Sequence, residues 1–133
     1  MKVTIAQKSA SASEAAIGRH KVLIDRPVAK GGGDAGPMGG ELFLAAVGGC
    51  FMSNLLAAIK ARQADVREVG LEVTGTLADS PPRFTKVELY VTADCEDREL
   101  LERLIEIADR GCVMMNTLRE TLELNVSIGA LSQ

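Results

Sequence analysis

The residues of this chain that could carry chemistry are three cysteines, one histidine and a glycine-rich loop. Cys50 follows Gly48 and Gly49 in the middle of a run, Leu42 to Ile59, that has no charged side chain. A thiol in such a run is either a small piece of core or a guarded nucleophile. Cys112 follows Gly111 and stands where a helix is expected to start. Unpaired N–H groups at a helix N-terminus stabilise a thiolate, the form of cysteine that attacks electrophiles. Buried cysteine is also common filler, so spacing alone leaves both roles open for both residues. Cys95 sits in Asp94-Cys-Glu-Asp97, whose acids disfavour a thiolate, and it reads as a bystander.

The remaining candidates are weaker. His20 stands alone in a predicted strand with no Ser or Asp partner at a useful spacing, and reads as a surface or structural residue. There is no CxxC pair and no Cys/His cluster, so a structural zinc site has little support. Gly31-Gly-Gly-Asp-Ala-Gly36 matches GxGxxG as a string. A dinucleotide site also needs a strand running straight into the glycines, a helix opening inside the motif and an acid about twenty residues on. Pro27 and Pro37 bracket the glycines, and position 56 is leucine, so the stretch reads as a loop. No Walker A string follows it.

The elements that must position these residues follow from periodicity. Val3 and Ile5 alternate with polar residues as a first strand, Ser9 to Gly18 reads as a small polar loop, and Arg19–Asp25 is a second strand stopped by Pro27. After the glycine loop, a long helix is expected from Met38–Glu41 to about Gln63. Glu41 falls in its first turn, where negative charge suits the helix dipole. The helix is apolar on nearly every side and needs cover all round, from a sheet and from a second copy of the chain. Leu71–Leu77 and Val87–Ala93 alternate as two strands joined through Ala78–Pro82. An amphipathic helix over Asp97–Arg110, a short helix from Cys112 or Val113 to about Glu120 and a strand over Leu122–Ile128 complete the chain. The expected order is β-β-α-β-β-α-α-β, an α+β arrangement with a largely antiparallel sheet.

At 133 residues the chain is expected to form a single domain, 1–133. Three Phe, one Tyr and no Trp leave the core to aliphatic side chains and Met. Fifteen basic and eighteen acidic residues are well mixed, with no basic run, which argues against nucleic acid as a partner. Met1–Lys8 lacks the apolar core of a signal peptide, so a cytoplasmic, reducing location is expected, with free or redox-active cysteines rather than structural bridges. Leu42–Ile59 reaches the minimum length of a membrane span. Its two adjacent glycines, its Ser53 and Asn54, and the alternating strands around it favour a buried central helix, and no membrane partner is expected.

Two stretches carry a resemblance. Gly-Pro-x-x-x-Glu-Leu-Phe-Leu-Ala-Ala-Val-Gly-Gly-Cys-Phe begins at Gly36, and Gly-Cys-Val-Met-Met-Asn-Thr-Leu begins at Gly111. With the element order, they make the chain similar to the OsmC/Ohr family from about residue 1 to 129. The resemblance implies an antiparallel sheet wrapped around a long central helix in an intertwined homodimer. It also implies a thiol-dependent peroxidase that reduces small organic hydroperoxides in defence against oxidative stress, with no cofactor and an external dithiol, lipoyl-type or other, as reductant. By the same resemblance Cys50 is the peroxidatic cysteine, Cys112 the resolving one, and Glu41 and Arg19 stand nearest to the family's catalytic Glu/Arg pair. The sequence departs from the pattern at Gly40, where the family places the glutamate, so that the acid comes one residue later. It departs also at Val113-Met-Met, where a Pro-Val-Ser type of run is commoner. A reading from another class keeps the fold without the reaction: a non-catalytic dimer binding a small apolar ligand at its interface. Gly40 favours that reading, and the two cysteines favour the enzyme. A purely structural dimer with two buried cysteines is a third.

Overall fold

Alternating apolar and polar residues form strands where periodicity places them, and one more besides. The computed structural model describes residues 1–132. The order is β1 (Thr4–Gln7), β2 (Ser13–Ile17), β3 (His20–Ile24), α1 (Gly39–Ala61), β4 (Arg67–Asp79), β5 (Pro82–Asp94), α2 (Arg98–Gly111), α3 (Val113–Leu118) and β6 (Glu123–Ile128). This is an α+β fold with two three-stranded sheets, β1-β2-β3 and β4-β5-β6, in place of the one sheet expected. The contacts divide the chain into two compact units, Met1–Phe43 and Leu44–Gln133.

In the first unit the three strands form an antiparallel meander. β2 is the addition: Ser13-Glu-Ala-Ala-Ile17 lies inside the stretch expected to be a loop. Small polar residues and alanine have little intrinsic strand preference. As the middle strand, however, β2 is hydrogen-bonded on both edges and buries Ala15, and pairing overrides propensity. The Ser9 hydroxyl shapes the preceding turn by accepting the Ala12 N–H at 2.9 Å. Gly18 opens the two-residue β2–β3 turn with φ of 59°, a conformation that favours glycine.

The glycine-rich loop is held from within. Asp25 is buried, and its carboxylate accepts N–H bonds from Arg26 at 2.7 Å and from Gly33 and Ala35, each at 3.1 Å. The amides that a phosphate would need are occupied by the protein's own acid. At the end of the loop, Glu41 Oε1 accepts the Met38 N–H at 2.9 Å while the Met38 carbonyl receives the Leu42 N–H. This is one half of a capping box and it fixes where α1 begins.

In the second unit β4 and β5 are a long antiparallel hairpin, and β6 joins β5 in parallel. Val87, Leu89, Val91 and Ala93 turn one face of β5 into core. α1 lays Val47, Phe51, Leu55 and Ala58 on that core, a stripe at helical spacing. Gly48 permits the close approach, since a Cβ there would meet Val73 Cγ2 at 2.6 Å. α2 starts at Asp97, whose side chain caps Leu100 N–H at 2.9 Å, and buries Leu101, Leu104, Ile105 and Ala108. The far side of α1 differs from expectation. Ala45, Ala46, Gly49, Ser53, Leu56 and Ala57 are exposed, although α1 is long and apolar enough by composition to cross a bilayer.

The Asp25 cradle has a pH signature. Its N–H donors, Ala35 foremost and then Arg26, favour the charged carboxylate and outweigh burial, holding Asp25 below the usual carboxylate range. A depressed folded-state value stabilises the fold above the unfolded pKa of about 3.9, and that stabilisation is lost as pH falls through the lower folded value. Asp25→Asn should therefore lower Tm at neutral pH, with a deficit that narrows as the pH is taken below about 4. An unchanged Tm at neutral pH would mean that the loop does not depend on this carboxylate.

Candidate active site

Cys50 occupies the middle of α1, at the border between the helix's buried stripe and its exposed face, and is half-buried. α2 ends at Gly111, Cys112 follows in an extended conformation with φ −83° and ψ 116°, and α3 begins at Val113. This corner turns the chain back so that the first amides of α3 face α1. The Met114 and Val113 N–H groups and the Cys112 side chain lie close enough to the Cys50 sulfur to act on its charge. The two thiols singled out in the sequence are thus neighbours, and both are free.

The corner is clamped from its outer side. Arg119 places Nη1 3.1 Å from Asp109 Oδ2 and Nη2 3.2 Å from Asp109 Oδ1, and Nη2 also reaches Asn116 Oδ1 at 3.0 Å. Asn116 in turn donates from Nδ2 to the Arg110 carbonyl at 2.9 Å. A two-pronged guanidinium–carboxylate contact carries direction as well as attraction, so the last turn of α2 and the first turn of α3 move as one piece.

The electrostatics separate the two sulfurs. Cys50 is held below its ordinary value, first by the Met114 N–H, against burial, with the Cys112 thiol and the Val113 N–H assisting. Cys112 is pushed up, first by burial and further by the hydrogen bond and charge of Cys50, although the Met115 and Met114 N–H groups oppose the rise. It is fully buried. Of the two, Cys50 therefore gives up its proton more readily and Cys112 keeps its own. This refines the expectation from sequence, in which the helix-opening position favoured a thiolate at Cys112 itself. The amides of that helix start serve the cysteine facing it, and burial governs the cysteine beside it.

The other candidates take quieter positions. Cys95 is buried and its Sγ donates to the Asp97 carbonyl at 3.2 Å. Arg19 lies in the exposed β2–β3 turn, next to His20 at the start of β3. Glu41 is exposed, and its carboxylate is engaged in capping α1. One polar side chain beside the thiol reads in the sequence only as a sign of a buried helix and not as part of a site. Asn54 donates from Nδ2 to the Cys50 carbonyl at 2.9 Å and lies 4.0 Å from Cys50 Sγ. Its spacing, four residues after a cysteine in an uncharged helix, was the available signal. Beside Gly49 and Met52, between α1 and β4, lies an open apolar recess of about 310 Å³, walled by Val69, Leu71 and Val73.

A family model described as OsmC-like protein matches residues 31–127. No curated protein matches the chain. Among solved structures, the chain is similar to an OsmC like protein from Mycoplasma pneumoniae, with a TM-score of 0.86 at 18% identity, covering 99% of this chain and 96% of that one. It is similar also to the organic hydroperoxide resistance protein OhrB of Bacillus subtilis, with a TM-score of 0.70 at 23% identity over 96% of both chains. A third is an organic hydroperoxide resistance protein from Elizabethkingia anophelis, with a TM-score of 0.74 at 22% identity over 97% of both chains. At these identities the structures establish the fold.

The separation of the two sulfurs can be read directly. With reduced protein at roughly pH 7.5, a limiting amount of iodoacetamide should alkylate Cys50 first, because its thiolate fraction exceeds that of an ordinary thiol. Cys112 and Cys95 should react slowly until the protein is unfolded. Peptide mass mapping reads the order, and prior modification of Cys112 would reverse the assignment.

Proposed function

The chain belongs to the OsmC-like protein family, and on that premise we propose that it is a thiol-dependent peroxidase reducing organic hydroperoxides, with a role in oxidative stress defence. The observation that carries the reading is the pairing of a half-buried Cys50, held toward the thiolate, with a neighbouring buried Cys112 held toward the protonated thiol. The names of the Bacillus subtilis and Elizabethkingia anophelis proteins of like fold point the same way.

The reaction runs in three steps. The Cys50 thiolate attacks the hydroxyl oxygen of ROOH; the O–O bond breaks, and the departing alkoxide takes a proton and leaves as the alcohol. Cys50 is left as a sulfenic acid. The Cys112 sulfur then displaces the sulfenyl oxygen, which leaves with the thiol proton as water, and a Cys50–Cys112 disulfide forms. An external dithiol restores both thiols by exchange and is itself oxidised to a disulfide. The lowered Cys50 favours the thiolate that the first step needs, and the raised Cys112 favours the protonated thiol that the second step uses.

In this reading the exposed face of α1 is covered by a second copy of the chain, in keeping with the apolar residues Ala45, Ala46, Leu56 and Ala57 on it. The recess beside Gly49 and Met52 would accept the apolar part of the hydroperoxide. That recess also favours a second reading, a dimer that holds a small apolar ligand without chemistry. Location in the cytoplasm follows from the need for reduced thiols.

One equivalent of an alkyl hydroperoxide added to reduced protein should produce a single Cys50–Cys112 disulfide, seen by peptide mass mapping. Cys50→Ser should abolish peroxide consumption, Cys95→Ser should leave it unchanged, and Cys112→Ser should stop after one turnover with a trappable sulfenic acid. Two thiols still titratable after peroxide treatment would rule the enzyme out and leave the ligand-binding dimer. Sedimentation should give twice the 14.1 kDa chain mass, and Leu56→Glu, which puts a charge on the apolar face, should return it to that of one chain. A parent protein that sediments as a monomer would remove the second copy from the proposal.

A further inference from the structure

Asparagine is a poor residue for the interior of a helix, since its carboxamide competes with the backbone for hydrogen bonds. Asn54 nonetheless lies inside α1, one turn after Cys50, in a stretch otherwise made of apolar and small residues. Its Nδ2 donates to the Cys50 carbonyl at 2.9 Å, which fixes the orientation of the carboxamide, because a carbonyl oxygen only accepts. The same Nδ2 lies 4.0 Å from Cys50 Sγ, at the outer limit of a hydrogen bond to sulfur. Its Oδ1 faces the α2–α3 corner: a Cβ on Gly111 would come within 3.2 Å of it. The carboxamide thus fills the space between the Cys50 side chain and the residue preceding Cys112, with its donor toward the sulfur and its acceptor toward the corner.

We propose that Asn54 is a positioning residue for Cys50, a neutral donor that holds its sulfur, first as thiolate and then as sulfenic acid, turned toward Cys112. The thiolate half of this stands on geometry alone, and the sulfenic acid half rests on the peroxidase reading. In the resolving step an S–S bond forms as the S–O bond breaks, and the oxygen departs with the Cys112 proton as water. That displacement requires Cys112 Sγ to approach opposite the S–O bond. A donor bonded to the oxygen keeps it turned away from Cys112 and stabilises it as it leaves. Glu41 is committed to capping α1 and Gly40 bears no side chain, so the sulfur is served by N–H donors without formal charge.

Asn54→Leu keeps the approximate shape and removes the donor, whereas Asn54→Gln keeps a carboxamide. The first measurement is the pH dependence of Cys50 alkylation in reduced protein, which needs no peroxide. The midpoint should rise by about half a pH unit in Asn54→Leu, the direction expected when a donor to the charged form is lost. It should return at least halfway in Asn54→Gln. The second is trapping with a 1,3-dicarbonyl reagent after one equivalent of alkyl hydroperoxide. Slower resolution should raise the yield of Cys50 adduct about threefold in Asn54→Leu, the factor that half a pH unit represents. If leucine disturbs folding by circular dichroism, Asn54→Ala takes its place in both measurements. An unchanged midpoint in a folded variant lacking the donor overturns the proposal. So does an equal rise in the Leu and Gln variants, which would make Asn54 a packing residue only. If the parent forms no Cys50–Cys112 disulfide, the peroxidase reading fails by itself, and the midpoint shift still decides whether Asn54 holds the thiolate.

Discussion

A negative charge in the middle of an apolar helix has to be solvated by something other than water. In this chain the group favoured to carry such a charge is Cys50, and the Met114 and Val113 N–H groups and the Cys112 thiol favour it. The opposing force is burial, which raises the pKa of any thiol. At Cys50 the donors win because the sulfur is only half-buried and the first turn of α3 is aimed at it. At Cys112, which is fully buried and sits beside a charged neighbour, the same group of amides loses. A single helix start therefore sets two thiols of one chemical type to opposite sides of their ordinary value. Two neighbouring thiols resist being charged together, and this arrangement decides which of them loses its proton more readily.

The arrangement holds only while α3 keeps its aim. A helix spanning Val113–Leu118 has little stability of its own. Its direction comes from the Asp109–Arg119–Asn116 clamp and from Met115, which is buried in the core. The other wall, α1, is located by its close approach to β4 at Gly48, two residues before the cysteine. The core of the second unit thus works as a fixture for two short stretches, Gly48–Asn54 and Gly111–Met115. Asp25 does similar work in the first unit, since its carboxylate ties the glycine loop beyond β3 to the end of that strand, beside backbone bonds such as Asp34 N–H to the Arg26 carbonyl at 3.0 Å.

Much of this could be read from residue order. The central helix, the β4–β5 hairpin, α2 with its stripe and the short helix after Gly111 all have strong periodicity or clear caps, and each lies within a few residues of its expected place. β2 did not show because Ser-Glu-Ala-Ala-Ile has no pattern of its own and becomes a strand through its two neighbours. The division into two sheets was hidden for the same reason, since partner choice is a long-range property. The pairing of Cys50 with Cys112 came from family resemblance and not from spacing. No rule of sequence states that a corner after Gly111 turns its amides toward residue 50. Asn54 serves in the sequence only to argue for a buried helix, because a polar residue in an apolar run shows no partner there, whereas its hydrogen bond to the Cys50 carbonyl gives it a place.

The uncovered side of α1 bears on the chemistry because Cys50 lies at its edge. Val47, Phe51 and Leu55 face the core, Ala46, Gly49 and Ser53 face outward, and residue 50 falls between the two sets on a helix that advances 100° per residue. Whatever covers the outward face narrows the path to the sulfur from one side. With a second copy there, as proposed, water would be excluded from Cys50 and the rise in pKa from burial would grow, while the α3 amides that oppose it would stay in place. The more completely the thiol is enclosed, the more its charge depends on donors that move with it, which is the demand that Asn54, on the same helix as Cys50, is placed to meet.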